Sequence, residues 1–237
     1  MSSKLPELRI VAILQARMGS MRFPGKVMAD LAGRPMLEQI VRNLRQSRLI
    51  TRLVVATTEL AQDDIIARLA DSLGVPFYRG AENDVLDRYY RAAQQFQAGV
   101  VARLTADNPM VGGAFLDLCL DEFLAATPPA DYLDTGGSPA FPLGLSVEVF
   151  HFRVLEEAWR KDRDPDSRQH VTPYIRHHPE CFRVKRLTNQ VDDYDLRWTV
   201  DTAEDMVRVR RIYHALQLRD RPLPYSEIIK RIRENGF

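Results

Sequence analysis

Cysteine is scarce in this chain, and long apolar runs are missing altogether. Cys119 and Cys181 are the only two in 237 residues. They stand far apart without metal-ligand spacing, and isolated cysteines of this kind pack rather than react. Cys119, inside FLDLCLDEFL, reads as a small core residue. No apolar stretch is long enough to span a membrane, and the opening MSSKLPEL has no apolar signal core. Charge of one sign is also lacking. The 33 Lys and Arg offset 32 Asp and Glu to a net +1, so no global field draws the chain to nucleic acid or to a membrane surface. A cytoplasmic protein without a nucleic-acid or membrane partner is expected. The two commonest phosphate loops are absent too. After the first strand-like run, five residues separate Gly19 from Gly25 and Val27 follows Lys26, which breaks the P-loop pattern, and no G-x-G-x-x-G is present. There is no internal repeat and no low-complexity segment.

What is present alternates strands with helices. Residues 1 to 7 read as a short disordered lead. Leu8 to Leu14 is a nearly continuous apolar strand, as in a sheet covered on both faces. Met36 to Gln46 carries Met36, Ile40, Val41 and Leu44 at helical spacing. Strands follow at Leu53–Ala56, Phe77–Arg79 and Val100–Leu104, with helices at Gln62–Leu73, Asp84–Gln97 and Gly113–Ala125. This order indicates βαβ units and a mostly parallel sheet in one α/β domain over 1–237. Residues 131–190 change character. They are rich in Gly and Pro at first, then carry the alternating strand LSVEVF, a helix at Val154–Arg160, a charged turn at Lys161–Gln169 and a strand at Phe182–Leu187. They read as a small extended insertion within the domain. Trp198–Val200 leads, as a late strand, into a helix at Ala203–Leu216, and Tyr225–Arg233 is a final amphipathic helix.

The densest chemistry lies in QARMGSMRFPGK, Gln15 to Lys26, directly after the first strand. Arg17, Arg22 and Lys26 suit phosphate oxygens. Gly19 and Gly25 let peptide N–H groups turn toward an anion, and Ser20 can join them. A polyphosphate fits this composition best. In a parallel sheet the strand ends share one edge, which brings the loop beside Thr57-Thr58 and Asp107.

The loop resembles the nucleotide-binding loop of the cytidylyltransferases that make CMP-activated acid sugars. Within that family it is most similar to the branch called spore coat polysaccharide biosynthesis protein F, related to the acylneuraminate and KDO cytidylyltransferases. The resemblance runs from about Arg9 to about Ile212. Beside the loop it rests on DVLDRYYRAA (Asp84–Ala93), RLTADNP (Arg103–Pro109), FPLGLSVEVF (Phe141–Phe150), QHVTPYI (Gln169–Ile175) and RWTVDTAED (Arg197–Asp205). It implies a Rossmann-like nucleotidyltransferase fold, CTP and an acidic sugar as substrates, Mg²⁺ as cofactor, and a homodimer to which the insertion contributes an arm. Gln15, Ala16, Gly19, Ser20, Asp84, Arg88 and Thr105 then belong to the nucleotide site. Asp107 and Asp201 match metal-binding positions.

Nucleotidyl transfer asks the protein for positioning and charge neutralisation. Arg17, Arg22 and Lys26 supply cations, while Asp107 and Asp201 supply the one or two carboxylates that Mg²⁺ takes beside phosphate and water. Each acid has a plainer alternative. Asp107 before Asn108-Pro109 suits a turn. Asp201 suits the start of a helix, where Thr202 and Asp205 have capping-box spacing. Thr57 and Thr58 fit nucleoside contacts or helix entry. Glu148 fits an exposed strand face or an acceptor for sugar hydroxyls, and His170 fits substrate orientation, proton removal or a structural role. Arg176, Arg183 and Arg186 are the cations available for a sugar carboxylate, with none favoured. Two D-x-D spacings, Asp164-Pro165-Asp166 and Asp193-Tyr194-Asp195, leave a metal-dependent glycosyltransferase as a second reading, although both sit in polar turns. A nucleotide-binding protein without catalysis is a third.

Overall fold

A computed structural model describes residues 8–137 and 139–236 of the chain; the lead at 1–7 lies outside the described residues. Seven strands form one sheet in the order β3-β2-β1-β4-β6-β5-β7. They are β1 (Ile10–Gln15), β2 (Arg52–Thr58), β3 (Phe77–Gly80), β4 (Val100–Thr105), β5 (Tyr132–Asp134), β6 (Glu148–His151) and β7 (Val184–Arg186). β1 pairs in parallel with β2 and β4, β2 with β3, and β5 with β7; β6 runs antiparallel to both β4 and β5. The helices are α1 (Met36–Leu44), α2 (Asp64–Ser72), α3 (Val85–Gln95), α4 (Gly113–Leu124), α5 (Phe152–Lys161), α6 (Pro165–His170), α7 (Pro173–His177), α8 (Ala203–Ala215) and α9 (Tyr225–Asn235).

The apolar run of β1 is continuous because both of its faces are covered. Ile10, Ala12 and Leu14 pack with α1, α4, α8 and α9 through residues such as Ile40, Phe115, Val209 and Ile228. Val11 and Ile13 face Leu86 and Tyr89 of α3, with Leu155 of α5 and Ile175 of α7 on the same side. In register, Gln15 stands opposite Ala56 and Thr105, so β1 and β4 end level and β2 runs two residues further, to Thr58. The expected strand-end edge is therefore real, and the loop after β1 leaves from its centre.

Three expectations need correction. Residues 131–190 do not stand off the domain as an extended insertion: they supply β5, β6 and β7 to the main sheet, where β6 seals the flank of β4. The charged turn over 161–169 contains α6. Asp164 caps it, accepting from the backbone N–H groups of Asp166 and Ser167, and Pro165 occupies the first turn, where a missing N–H costs nothing. Among the described residues Trp198–Val200 forms no strand; an isolated bridge joins Leu143 to Arg197 beside it, and Val200 N donates to the Asp107 carbonyl. No helix among the described residues is long and apolar enough to cross a membrane.

Candidate active site

The segment after β1 turns back on itself. The Met18 carbonyl accepts from both Ser20 N (2.8 Å) and Gly25 N (2.9 Å), and Met18 N donates to Asp63 Oδ1 at 2.7 Å. Gly25 sits at φ +73°, a left-handed conformation that strains any side chain. A Cβ on Gly19 would come within 3.1 Å of Glu82 Oε1 and 3.3 Å of Gln62 Nε2, so the loop lies close against its neighbours there. The return places Lys26, its side chain 11% exposed, under the strand ends.

Lys26 Nζ donates to the Val200 carbonyl at 2.7 Å and to Asp201 Oδ1 at 3.2 Å, and reaches Asp107 Oδ2 at 3.5 Å. Residues 81 and 175 positions away are thus gathered on one ammonium. Arg22 Nη2 approaches Asp201 Oδ1 at 3.1 Å from the solvent side, and Arg197 Nη2 holds Asp201 Oδ2 at 3.2 Å. Thr105 Oγ1 donates to Asp107 Oδ1. Above these groups opens a cleft of about 260 Å³, lined by Gln15, Ala16, Arg17, Ser20, Arg22, Lys26, Thr105, Asp107 and Asp201 among others. A larger groove, about 660 Å³, lies at the opposite end of β1 beside Arg9, Arg52 and Phe96. It gathers no carboxylate and sits where parallel sheets seldom bind ligands.

Asp107 lies in the turn after β4, and Asp201 directly precedes the N-cap of α8. The capping box of α8 is made by Thr202 and Asp205. Burial opposes ionisation of Asp205. Arg197 and the N–H groups of Asp201 and Thr202 outweigh it and hold the carboxyl well below the usual carboxylate range. Asp201 is left facing Lys26 and Arg22. The backbone of Asp107 is tied to Val200 N at 2.8 Å, which leaves its carboxylate toward the cleft.

Several expected site residues are engaged elsewhere. Asp84 caps α3 through Asp87 N (2.9 Å), and its other oxygen accepts from Arg168 Nε and Nη2 (3.0 and 2.8 Å). Thr58 is fully buried and donates to Asp63. Thr57 is also fully buried, and its hydroxyl has no partner among the described residues. Glu148 is not on an exposed face. It takes Tyr132 OH (2.6 Å) and Thr172 Oγ1 (2.8 Å) on Oε1 and Arg103 on Oε2. His170 ends α6 in an exposed position, apart from the cleft lining. Both D-x-D spacings serve the fold: Asp164 caps α6, while Asp193 and Asp195 hold Arg233.

Two further arginines complete the picture, Arg88 buried and Arg103 half-buried. Arg88, fully buried on α3, donates Nη1 to the Ala81 carbonyl at 2.6 Å and leaves Nε and Nη2 without partners among the described residues. Burial lowers its pKa, and nearby Arg17 adds to this. Gln15 Oε1, on the sheet face that α3 covers, is likewise unpartnered. Arg103, Tyr132 and Thr172 were not singled out from the sequence. The signal for Arg103 was a cation in a buried strand, inside a motif already quoted.

Known proteins resemble the chain in sequence and in fold. Residues 11–235 match the family model described as Cytidylyltransferase. The chain is 33% identical over 238 residues to the spore coat polysaccharide biosynthesis protein SpsF of Bacillus subtilis, covering 95% of each. It superposes with a TM-score of 0.91 on a cytidylyltransferase structure from Leptospira borgpetersenii serovar Hardjo-bovis, at 30% identity over 97% of this chain and 96% of that one. The fold is shared, at a TM-score of 0.68 and 15% identity, with a CMP:2-keto-3-deoxy-manno-octonic acid synthetase complexed with CTP, over 88% of this chain and 99% of that one. Fold and comparisons define a nucleotidyltransferase. The chain belongs to the cytidylyltransferase family.

Proposed function

We propose that the enzyme transfers CMP from CTP to a hydroxyl of an acidic sugar or related polyol, with release of pyrophosphate, in the synthesis of a surface polysaccharide or glycan. The observation that carries this is Lys26 held between Asp107 and Asp201 at the base of a cleft rimmed by Arg17, Ser20 and Arg22. Such a cleft offers fixed positive charge for a triphosphate and two acids for a metal. The names of SpsF and of the CTP-bound synthetase support the pathway class and the substrates.

In the reaction a hydroxyl oxygen bonds to the α-phosphorus while the bond from that phosphorus to pyrophosphate breaks and the hydroxyl proton is released. Arg17 and Arg22 neutralise the leaving phosphates, and Arg suits this because it offers two donors in one plane. Lys26 adds a point charge at the cleft floor and screens Asp107 from Asp201. Arg88 stands ready for the base. Its open Nε and Nη2 form one edge of the guanidinium and match the paired acceptors of cytosine; uracil presents a donor at one of those positions.

Asp107 Oδ2 and Asp201 Oδ1 each lie within 3.5 Å of Lys26 Nζ, so two hard oxygen donors stand side by side at the cleft with the ammonium between them. No group of three His, Cys, Asp or Glu suited to a metal exists among the described residues. This donor set fits Mg²⁺, which takes one or two carboxylates and completes its shell with phosphate oxygens and water. Held by the carboxylates of Asp107 and Asp201 from the cleft, Mg²⁺ would offset the negative charge of the triphosphate.

Calorimetric titration with CTP, UTP, ATP and GTP, with and without Mg²⁺, tests this reading on the wild type and Asp201→Ala. CTP is expected to bind best, to require Mg²⁺, and to weaken at least about tenfold in the variant. Preference for another nucleotide, or binding indifferent to Mg²⁺ and Asp201, overturns it.

A further inference from the structure

Asp63 is fully buried and stands at the N-cap position of α2, yet its side chain does not cap that helix. An aspartate in this place ordinarily accepts from an N–H of the first turn and so stabilises the helix. Asp63 forgoes that bond. Its Oδ1 takes Met18 N at 2.7 Å, and its Oδ2 takes the Thr58 hydroxyl. Among the described residues it has no ion-pair partner. A buried carboxylate without a cation beside it is costly, so a buried acid that also leaves its helix uncapped points to a task outside the helix.

The corner that carries Asp63 is itself pinned. Leu60 N donates to Thr58 Oγ1 at 3.2 Å. Arg79 donates Nε to the Thr58 carbonyl at 2.8 Å and Nη2 to the Leu60 carbonyl at 3.0 Å, and its Nη1 meets Asp64 Oδ1 at 2.6 Å. Asp63 is therefore a fixed acceptor. Its carboxylate cannot turn without stranding a buried hydroxyl or a backbone N–H.

What it holds is the loop after β1. Over residues 17–24, the bond from Met18 N to Asp63 is the one backbone hydrogen bond, among the described residues, that leaves the loop. The Met18 carbonyl gathers Ser20 N and Gly25 N. Met18 is thus a knot, its N–H fastened to Asp63 and its carbonyl drawing the two limbs of the loop together. The crest between them is open to solvent, with Met21 fully exposed and the Arg22 side chain 65% exposed. Partial apolar packing of Met18 and Phe23 adds hold without direction. Because Ser20 N and Gly25 N are spent inside the knot, the loop meets the cleft through Arg17, Ser20 and Arg22 side chains, whose places depend on it.

We propose that Asp63 is a positioning residue for the triphosphate: by fixing Met18 it sets Arg17, Ser20 and Arg22 at the cleft before the nucleotide arrives. This rests on the proposed use of CTP. With the tie cut, the loop has to be ordered at the moment of binding, and the ordering is subtracted from affinity.

Residue-resolved amide exchange on the free wild type is the first test. Met18 N–H is expected to be protected at least about tenfold more than the N–H groups of Met21 and Arg22. Equal protection overturns the tie, whatever a variant does. Asp63→Ser is the second test, because serine is a good helix cap but too short to reach Met18. The variant is expected to keep its Tm within about 5 °C of wild type and to exchange faster at Met18, Ser20 and Gly25. Its calorimetric Kd for CTP with Mg²⁺ is expected to rise at least about tenfold. Asp63→Asn keeps a carbonyl for Met18 N and is expected to bind CTP within about threefold of wild type. The proposal fails if CTP affinity is unchanged in Asp63→Ser, or if the serine and asparagine variants lose it equally. It also fails if affinity falls only where Tm falls by more than that margin, which assigns Asp63 to stability alone. A wild type that binds no CTP removes the underlying transfer reaction instead, and the exchange experiment still reports the tie separately.

Discussion

Burying an amine is costly unless its charge is matched, because desolvation removes several kcal/mol of hydration. Lys26 meets that cost with two carboxylates and a carbonyl. Lys26 was singled out because it sits in a dense local string, and Asp107 and Asp201 because each follows a strand-like run; the fold brings the three side chains together. Arg103 was not, because its partner lies 45 positions away and no periodicity links the two. Elsewhere, Asp131 shows what a matched acid does for stability. Burial opposes its charge. The Arg183 N–H and the Arg153 guanidinium outweigh that and hold its carboxyl below the usual range. A carboxyl depressed on folding adds stability above its unfolded pKa, near 3.8, and loses it as pH falls through the folded value. Asp131→Asn is therefore expected to lower unfolding free energy at pH 7 by about 1–3 kcal/mol. In urea titrations the gap from wild type should shrink below about pH 4. A gap that stays constant to pH 2 would show that ionisation of Asp131 contributes nothing.

At the scale of elements, the four parallel strands and their helices were legible because each carries a clean period. The later strands were harder. β5 and β7 are only three residues each, too short to show a pattern, and their place is set by pairing rather than by composition. The Asp-Pro pair before α6 was read as a turn because Asp and Pro serve both turns and helix starts. α6 spans only six residues, so its cap and the Arg168 contacts to Asp84, Trp159 and Asp162 carry much of its stability. Asp164→Ala is expected to speed amide exchange throughout α6 at a global cost of about 1 kcal/mol or less. Unchanged exchange would show that Arg168 alone holds the helix.

For the molecule as a whole, the near balance of charge leaves association to shape and edge chemistry. β7 ends the sheet, and an edge strand offers unpaired backbone groups to another chain. Val191 and Tyr194, just beyond it, are 65% and 62% exposed. The expected homodimer accordingly has a place to form, across β7 and the turn that follows. Light scattering coupled to size exclusion should give twice the 27.2 kDa chain mass, and Val191→Asp with Tyr194→Asp should return it to the monomer. A wild-type monomer at working concentration would rule the dimer out.

The reversed strand β6 has a further consequence. Because it runs against its neighbours, its first residue, Glu148, meets the edge where the others finish. The cleft residues hang from the ends of β1 and β4, whereas Glu148 and Tyr132 hang from β6 and β5. β4 is the strand common to both, with Arg103 against Glu148 and, two residues on, Thr105 holding Asp107 at the cleft.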